Sequence, residues 1–316
     1  MFLSVIVATY NRAQTLQKTL ESILNQKTLG AFDFEIILVD NNSNDNTKEI
    51  VEALKKKAGG RLRYFFEPKQ GKAFAINKGI GEAKGEILAF TDDDAVVDEL
   101  WLWNIFECFK VHRCDGLGGR ILPEYPQGTP QWIKDHSRKL SGPIVYYDYG
   151  EDNKKFEKPM LEFLGANFAF TKNVFEQFGV LRTDIGPGSG INLGEDTEIT
   201  NRLLRARKSL YYCGKAVVWH PVDPQRMRLQ YLARWYKSLG RYYVRVDGNS
   251  LPEKGLVRYW GIPRYLIREI ILGFGAIPLT LSDKGKLLDV WKRLFINVGR
   301  AQEIQRIASN KGRYNE

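Results

Sequence analysis

The sequence predicts an α/β protein: a mixed, mainly parallel sheet flanked by helices, followed by a basic helical extension. Three observations carry that reading. Short apolar runs alternate with amphipathic stretches through the first hundred residues at the spacing of βαβ units. Polar and acidic residues collect where those runs end, and from about residue 221 the pattern becomes helical and basic. With 316 residues, 43% of them hydrophobic, the chain is long and apolar enough to bury a substantial core, which excludes a disordered tail and a disulfide-stapled miniprotein. The three cysteines, Cys108, Cys114 and Cys213, form no C-x-x-C pair, so reduced, buried thiols are expected.

Ser4 to Ala8 is a short buried strand, and the helix after it repeats Leu16, Leu20, Ile23 and Leu24 on one face. The start of the chain lacks a basic region ahead of its apolar run and a small-residue cleavage site, so it reads as that first strand and the protein as cytoplasmic. Glu35 to Val39 forms a second strand ending at Asp40; an Asn/Ser/Asp-rich turn then opens a helix with Ile50, Val51 and Leu54 on one face. Leu62 to Phe66 is a third strand, Ala73 to Ala83 a helix, and Glu86 to Phe90 a fourth strand running into Thr91-Asp92-Asp93-Asp94. Four strands with crossover helices imply a largely parallel sheet covered on both faces, with ligands beyond the carboxyl ends of its strands. Residues 120–160, rich in Pro and Tyr, read as loops and short helices over one side of the site, and Phe163 to Phe170 as another strand. The Gly186 to Gly194 loop reads either as a lid over the site or as a surface connection; it leads into Gly194-Glu195-Asp196 and a helix.

Three adjacent carboxylates after a buried strand repel one another unless a cation is present. The alternative is a solvated turn with Asp98 capping the next helix, which leaves the clustering unexplained. Hard oxygen ligands suit Mg²⁺ or Mn²⁺ completed by phosphate oxygens, so a divalent metal holding a diphosphate is the simplest inference.

Five motifs occur in one order: Ala8-Thr9-Tyr10-Asn11-Arg12; Val39-Asp40-Asn41-Asn42-Ser43; Gly71-Lys72-Ala73-x-Ala75-x-Asn77-x-Gly79; Asp92-x-Asp94; and Gly194-Glu195-Asp196. Over about residues 1–220 the chain resembles a family 2 glycosyltransferase, an inverting nucleotide-sugar transferase of GT-A fold. The resemblance places Thr9, Tyr10 and Arg12 near the nucleotide base and Asp40 on the base edge, with Asn42 and the Gly71-Lys72 turn beside it. For Asp40 the alternative is a helix N-cap, and for Tyr10 core packing. Asp92 matches the ribose or metal contact and Asp94 the metal ligand; Asp93 is an extra carboxylate for nucleotide or solvent. His220, following a strand, stands where some relatives supply a third ligand. Asp196 matches the catalytic base beside Glu195, although a carboxylate there also suits a helix N-terminus.

Residues 1–220 read as the catalytic domain and 221–316 as a helical, amphipathic extension. Residues 1–220 carry equal numbers of basic and acidic residues, so the net charge of +10 belongs to the extension. Leu229, Leu232, Trp235, Tyr236, Leu239 and Tyr243 mark one apolar helical face there. Arg234 and Trp235 resemble part of the Q-x-x-R-W motif of processive synthases, but Gln230 lies one residue too far from Arg234. That departure, and the lack of any run of ~18 uncharged apolar residues, argue against a processive synthase; the pair reads as approaching the acceptor or diphosphate, with core packing the alternative for Trp235. Leu266, Ile267, Ile270, Ile271 and Phe274, with Arg264 and Arg268, read either as helices packed on the catalytic domain with a solvated basic rim or as a surface for peripheral attachment to the inner face of the plasma membrane, and the second is the expectation. No nucleic-acid-binding motif accompanies this basic region.

The expected function is transfer of a hexose or N-acetylhexosamine from a UDP-sugar to a saccharide acceptor, lipid-linked, in surface-polysaccharide synthesis. A sugar nucleotidyltransferase lacks support because no Gly-rich loop follows the first strand, and a dehydrogenase because Gly79 to Gly85 misses the G-x-G-x-x-G spacing. A non-catalytic nucleotide-sugar-binding scaffold is the remaining alternative; the full set Asp40, Asp92, Asp94 and Asp196 argues against it.

Overall fold

A computed structural model describes residues 1–156, 165–246 and 257–312, the side chains as far as 309. In chain order the elements are β1 (Phe2–Thr9), α1 (Ala13–Leu24), β2 (Asp33–Asp40), α2 (Thr47–Lys55), β3 (Leu62–Phe66), α3 (Lys72–Glu82), β4 (Ile87–Asp92), β5 (Val96–Val97), α4 (Trp101–His112) and β6 (Gly116–Glu124). There follow α5 (Gln131–Asp135), α6 (Ser141–Ile144), β7 (Lys154–Lys155), β8 (Phe168–Thr171), α7 (Lys172–Phe178), α8 (Glu195–Arg205), β9 (Leu210–Pro221), α9 (Leu229–Val246), β10 (Arg258–Tyr259), β11 (Ile262–Pro263), α10 (Arg264–Thr280) and α11 (Lys284–Gly312).

One compact unit takes Met1–Tyr125, Val145–Ser189 and Glu195–Val222. Its main sheet runs β3-β2-β1-β4-β8-β6-β9-β5, with β7 on β9. β1 pairs in parallel with β2 and β4, and β2 with β3, while β8 lies antiparallel between β4 and β6. The mainly parallel sheet is therefore as expected, and its strand alternation explains the two-sided cover. Leu3, Val5 and Val7 of β1 face a core layer with Leu16 and Leu20 of α1, Val51 of α2 and Trp101 of α4; Ile6 faces the other, with Ile76 and Ile80 of α3 and Ile199 of α8.

Two expectations shift. The stretch 120–160 begins inside a sheet strand, β6, whose Gly116, Gly118 and Gly119 weaken the apolar signal. Gly116 and Gly119 are nonetheless required, because a Cβ there would stand 2.2 Å from the Phe170 ring or 2.3 Å from the Asn167 amide. The strand expected over Phe163–Phe170 starts at Phe168; Gly165–Asn167 form a turn, and Phe163 and Leu164 lie outside the described residues. The three cysteines are buried and unpaired.

The second unit comprises Pro126–Ile144, Gly190–Gly194 and the described part of Asp223–Glu316, so two inner segments join the C-terminal third. In it α9 buries Leu232, Tyr236, Leu239, Tyr242 and Val244, whereas Leu229 is exposed and Tyr243 half-buried. α9 and α11 approach backbone to backbone: a Cβ on Gly240 would stand 2.0 Å from the Ile296 carbonyl oxygen, and one on Gly299 2.0 Å from that of Lys237. Below them Glu303, fully buried, accepts hydrogen bonds from Arg241, Arg245 and Arg306.

Candidate active site

Parallel pairing brings the ends of β1, β2 and β4 to one edge, where Thr9 registers with Asp40 and Ala8 with Asp92. The chain then turns through Asp93 and Asp94 into β5, which pairs antiparallel with β9 at Val96 and Trp219. That pairing carries His220 to the acidic turn. The sequence placed His220 after a strand; it lies within β9, one residue from its end, and is buried.

His220 Nε2 lies 3.3 Å from Asp94 Oδ1 and 3.8 Å from Asp92 Oδ2. One donor atom each from Asp92, Asp94 and His220 all fall within 4.8 Å of one another. Two carboxylates and an imidazole, with room left for phosphate oxygens and water, fit a divalent cation of the Mg²⁺ or Mn²⁺ kind.

Lys72, at the first position of α3, reaches the other oxygen of Asp92 in a tight ion pair. Burial opposes charge on both, yet Asp92, Glu195 and Asp196 push the Lys72 ammonium well above the usual lysine range, and Lys72 and His220 hold Asp92 well below the carboxylate range. Glu195 and Asp196 open α8. Burial, then the neighbouring Asp196 charge, raises Glu195 to about 7, and burial also raises Asp196. A Cβ on Gly165 would stand 3.2 Å from Lys72 Nζ and 3.3 Å from Asp196 Oδ2, so ammonium and carboxylate face the same point. Asp196 Oδ1 also accepts the Thr197 N–H at 2.8 Å, which is the helix-end role the sequence offered as its alternative.

Tyr10 is 46% exposed, which removes core packing as its role. Its N–H donates to Asp93 Oδ2 at 3.4 Å, and Arg12 lies 3.9 Å from Asp94. Burial, then the Asp94 charge, raises Asp93 to about 6, while the Thr9 hydroxyl lowers it. Asp40 is buried, accepting the Ser43 N–H and the Tyr64 hydroxyl at 2.8 Å each. It does not cap α2, which starts at Thr47 with Asp45 accepting that residue's N–H. Asn42 is exposed with φ +67°, a conformation asparagine tolerates.

Asn41 is a positioning residue that the sequence motifs did not single out. Its Oδ1 accepts the Gly71 N–H at 2.7 Å and its Nδ2 donates to the carbonyls of Glu67 and Lys69, fixing the turn that aims Lys72. The only sequence signal was its place beside Asp40 in the second motif. Pro187 accepts the Lys72 N–H at 3.0 Å, and a Cβ on Gly188 would stand 2.8 Å from the Gly71 Cα, so residues 186–189 lean on the same turn. Arg234 and Trp235 belong to the second unit, where Arg234 is exposed and the Trp235 ring packs over Gly142 and edge-on to Tyr236.

A GT-A sheet ending in paired aspartates, an imidazole and a helix-borne carboxylate defines a glycosyltransferase class. The profile of glycosyl transferase family 2 matches residues 4–179, more than half of the chain, and the chain belongs to that family. It is 27% identical over 323 residues to the glycosyltransferase AglE of Haloferax volcanii, covering 99% of this chain and 95% of that protein. Over 100 residues it is 45% identical to the GalNAc(5)-diNAcBac-PP-undecaprenol beta-1,3-glucosyltransferase of Campylobacter jejuni, covering 31% of this chain and 30% of that one. Among solved structures it shares its fold with the mannosyltransferase PcManGT of Pyrobaculum calidifontis, in complex with GDP-Man and Mn²⁺: TM-score 0.60, 17% identity, 96% of this chain and 86% of that one.

Proposed function

We propose that the chain moves a hexose or N-acetylhexosamine from a UDP-sugar to a saccharide acceptor, lipid-linked, in surface-polysaccharide synthesis on the cytoplasmic side of the membrane. The observation that supports this reading is that Lys72 pairs with Asp92 of the Asp92, Asp94 and His220 group and faces the same point beside Gly165 as the Asp196 carboxylate. The Campylobacter relative's name, with its undecaprenol-linked acceptor, supports the lipid-linked reading, and the GDP-Man complex of PcManGT supports a nucleotide-sugar donor.

Asp92, Asp94 and His220 would hold Mn²⁺ or Mg²⁺, which supplies charge compensation for the departing diphosphate. Lys72 adds a fixed positive charge beside Asp92. Thr9, Tyr10, Arg12, Asp40, Asn42 and Gly71 line the nucleotide side, and Asp93 orders the Tyr10 backbone. Asp196 takes the proton from the acceptor hydroxyl as that oxygen attacks the anomeric carbon and the carbon–phosphate-oxygen bond breaks, which inverts the configuration. Glu195, raised to about 7 by burial and the Asp196 charge, stands beside the base as a second carboxyl group. Arg234 and Trp235 are assigned to the acceptor or diphosphate. The test is release of nucleoside diphosphate from UDP-, dTDP- and GDP-sugars with Mn²⁺ and a saccharide acceptor. The reading requires release from one nucleotide class and its loss in Asp196→Asn; release that persists in that variant defeats the assignment of the base.

A further inference from the structure

The β10–β11 hairpin and α10, within the second unit, present several large apolar side chains to solvent, among them Trp260, Ile271, Leu272 and Leu279. Pairing of Arg258 with Pro263 and of Tyr259 with Ile262 leaves Trp260 and Gly261 as a two-residue turn, with φ +52° and +80°. Such turns favour Asn, Asp or Gly at the first position, and a bulky side chain in the left-handed region is a rare, strained choice. Here it holds an indole that is 83% exposed.

α10 continues the pattern. At about 100° per residue, Arg264, Arg268, Ile271, Leu272, Gly275 and Leu279 share the outward side, and all are exposed. Ile271 is 65% and Leu279 84% exposed, whereas Leu266 is buried. The sequence had grouped Leu266 with Ile271 on one face; the helix turns them apart. A helix packed on a soluble protein shows charge outward, but α10 is uncharged from Ile270 onward and the chain stays so to Ser282. Its outward side is thus cationic in the first two turns and apolar in the rest. The groove beside it, about 530 Å³, adds Lys292, Arg293 and Arg300 against Glu269 and Asp289.

We propose that the Trp260 tip and the outward side of α10 form a docking surface for an anionic lipid membrane. An exposed indole, arginines and an uncharged helix end are the composition of a segment that lies in the headgroup region. Among the described residues no helix is long and apolar enough to cross a membrane, so the segment lies on the surface rather than through it. A second copy of the chain is the poorer occupant, since it would set the same arginines against one another. The inference rests on the proposed function only for the lipid-linked acceptor; the surface itself is independent of the transfer chemistry.

Flotation of the full chain with vesicles of phosphatidylcholine alone, and of phosphatidylcholine with about three-tenths phosphatidylglycerol, tests it. The chain is expected to float with the anionic vesicles and weakly with the neutral ones. Arg264→Gln with Arg268→Gln lowers anionic partitioning about thirty-fold, and Trp260→Asn with Ile271→Ser and Leu279→Ser abolishes it. Asn suits the turn, Ile271 and Leu279 are exposed, and an unchanged thermal midpoint is expected for the triple variant; the arginine pair, with Arg268 75% exposed, stands as a second variant. Asp94→Ala floats like the wild type, which separates this surface from the metal site. Equal partitioning onto both vesicles, flotation unchanged in either variant set, or self-association lost in the triple variant without flotation of the wild type overturns the proposal.

Discussion

His220 Nε2 stands 3.3 Å from Asp94 Oδ1, although the two residues are far apart in sequence and meet only because β5 pairs with β9. Replacing this imidazole by His220→Gln removes one donor of the trio while keeping a side chain of similar reach. The Mn²⁺ concentration for half-maximal activity is expected to rise at least ten-fold, and full chelation of divalent metal to abolish transfer. Metal titration of wild type and variant in the presence of UDP checks both.

Asp196→Asn keeps the side chain's shape and its hydrogen bond from Thr197 but removes the basic oxygen. Turnover is expected to fall about 10²–10⁴-fold while nucleotide affinity changes little. Single-turnover kinetics beside nucleotide titration separates the two effects.

Asn41→Ala leaves the Gly71 N–H without its acceptor in a buried turn. The expected cost is about 1–3 kcal/mol of stability, with a weaker nucleotide complex because the Lys72 turn loosens. Urea unfolding gives the first quantity and nucleotide titration the second; Asn41→Asp keeps an acceptor for Gly71 but loses the donors to the Glu67 and Lys69 carbonyls, so it is expected to rescue neither.

Glu303 carries a pH prediction. Burial opposes its charge, but Arg306, Arg245 and Arg241 outweigh burial and lower its pKa from 4.5 to about 2. A depressed folded-state pKa means that its contribution is fully present above about pH 4.5 and is lost as the pH falls towards 2. Glu303→Gln is expected to cost about 3 kcal/mol at pH 7, with the gap to wild type closing below pH 4.5. Urea midpoints measured across that range test the sign.

Gly240→Ala places a methyl group against the Ile296 carbonyl and must push α9 and α11 apart, since both contacting groups are backbone. A loss of about 1–3 kcal/mol is expected, visible as a lower thermal midpoint. Gly275→Ala, where a Cβ meets open space, serves as the comparison.

The sheet was legible because β1, β2 and β4 are short apolar runs that end in chemistry-bearing residues, so periodicity and motif agreed. β6 was not, because its glycines make room for Phe170 and Asn167, a tertiary reason that no local pattern reveals. The aspartate cluster stood out as adjacent carboxylates after a buried strand and Asp196 was singled out only by the family resemblance, but the approach of His220 required knowing that β5 and β9 pair. Asn41 escaped because its role is to satisfy backbone groups, and a buried asparagine looks the same in sequence as an exposed one. In α10 the apolar residues were identified, yet which of them face outward depended on where Leu266 docks.

The most direct test of the account is thermal unfolding of wild type and Asp94→Ala with UDP-, dTDP- and GDP-sugars, each with and without Mn²⁺. A ligand at a hundred times its dissociation constant stabilises by about 2.7 kcal/mol. The account predicts a metal-dependent rise with one nucleotide class that Asp94→Ala largely removes. An equal rise in both proteins, or no rise with any nucleotide, would contradict it.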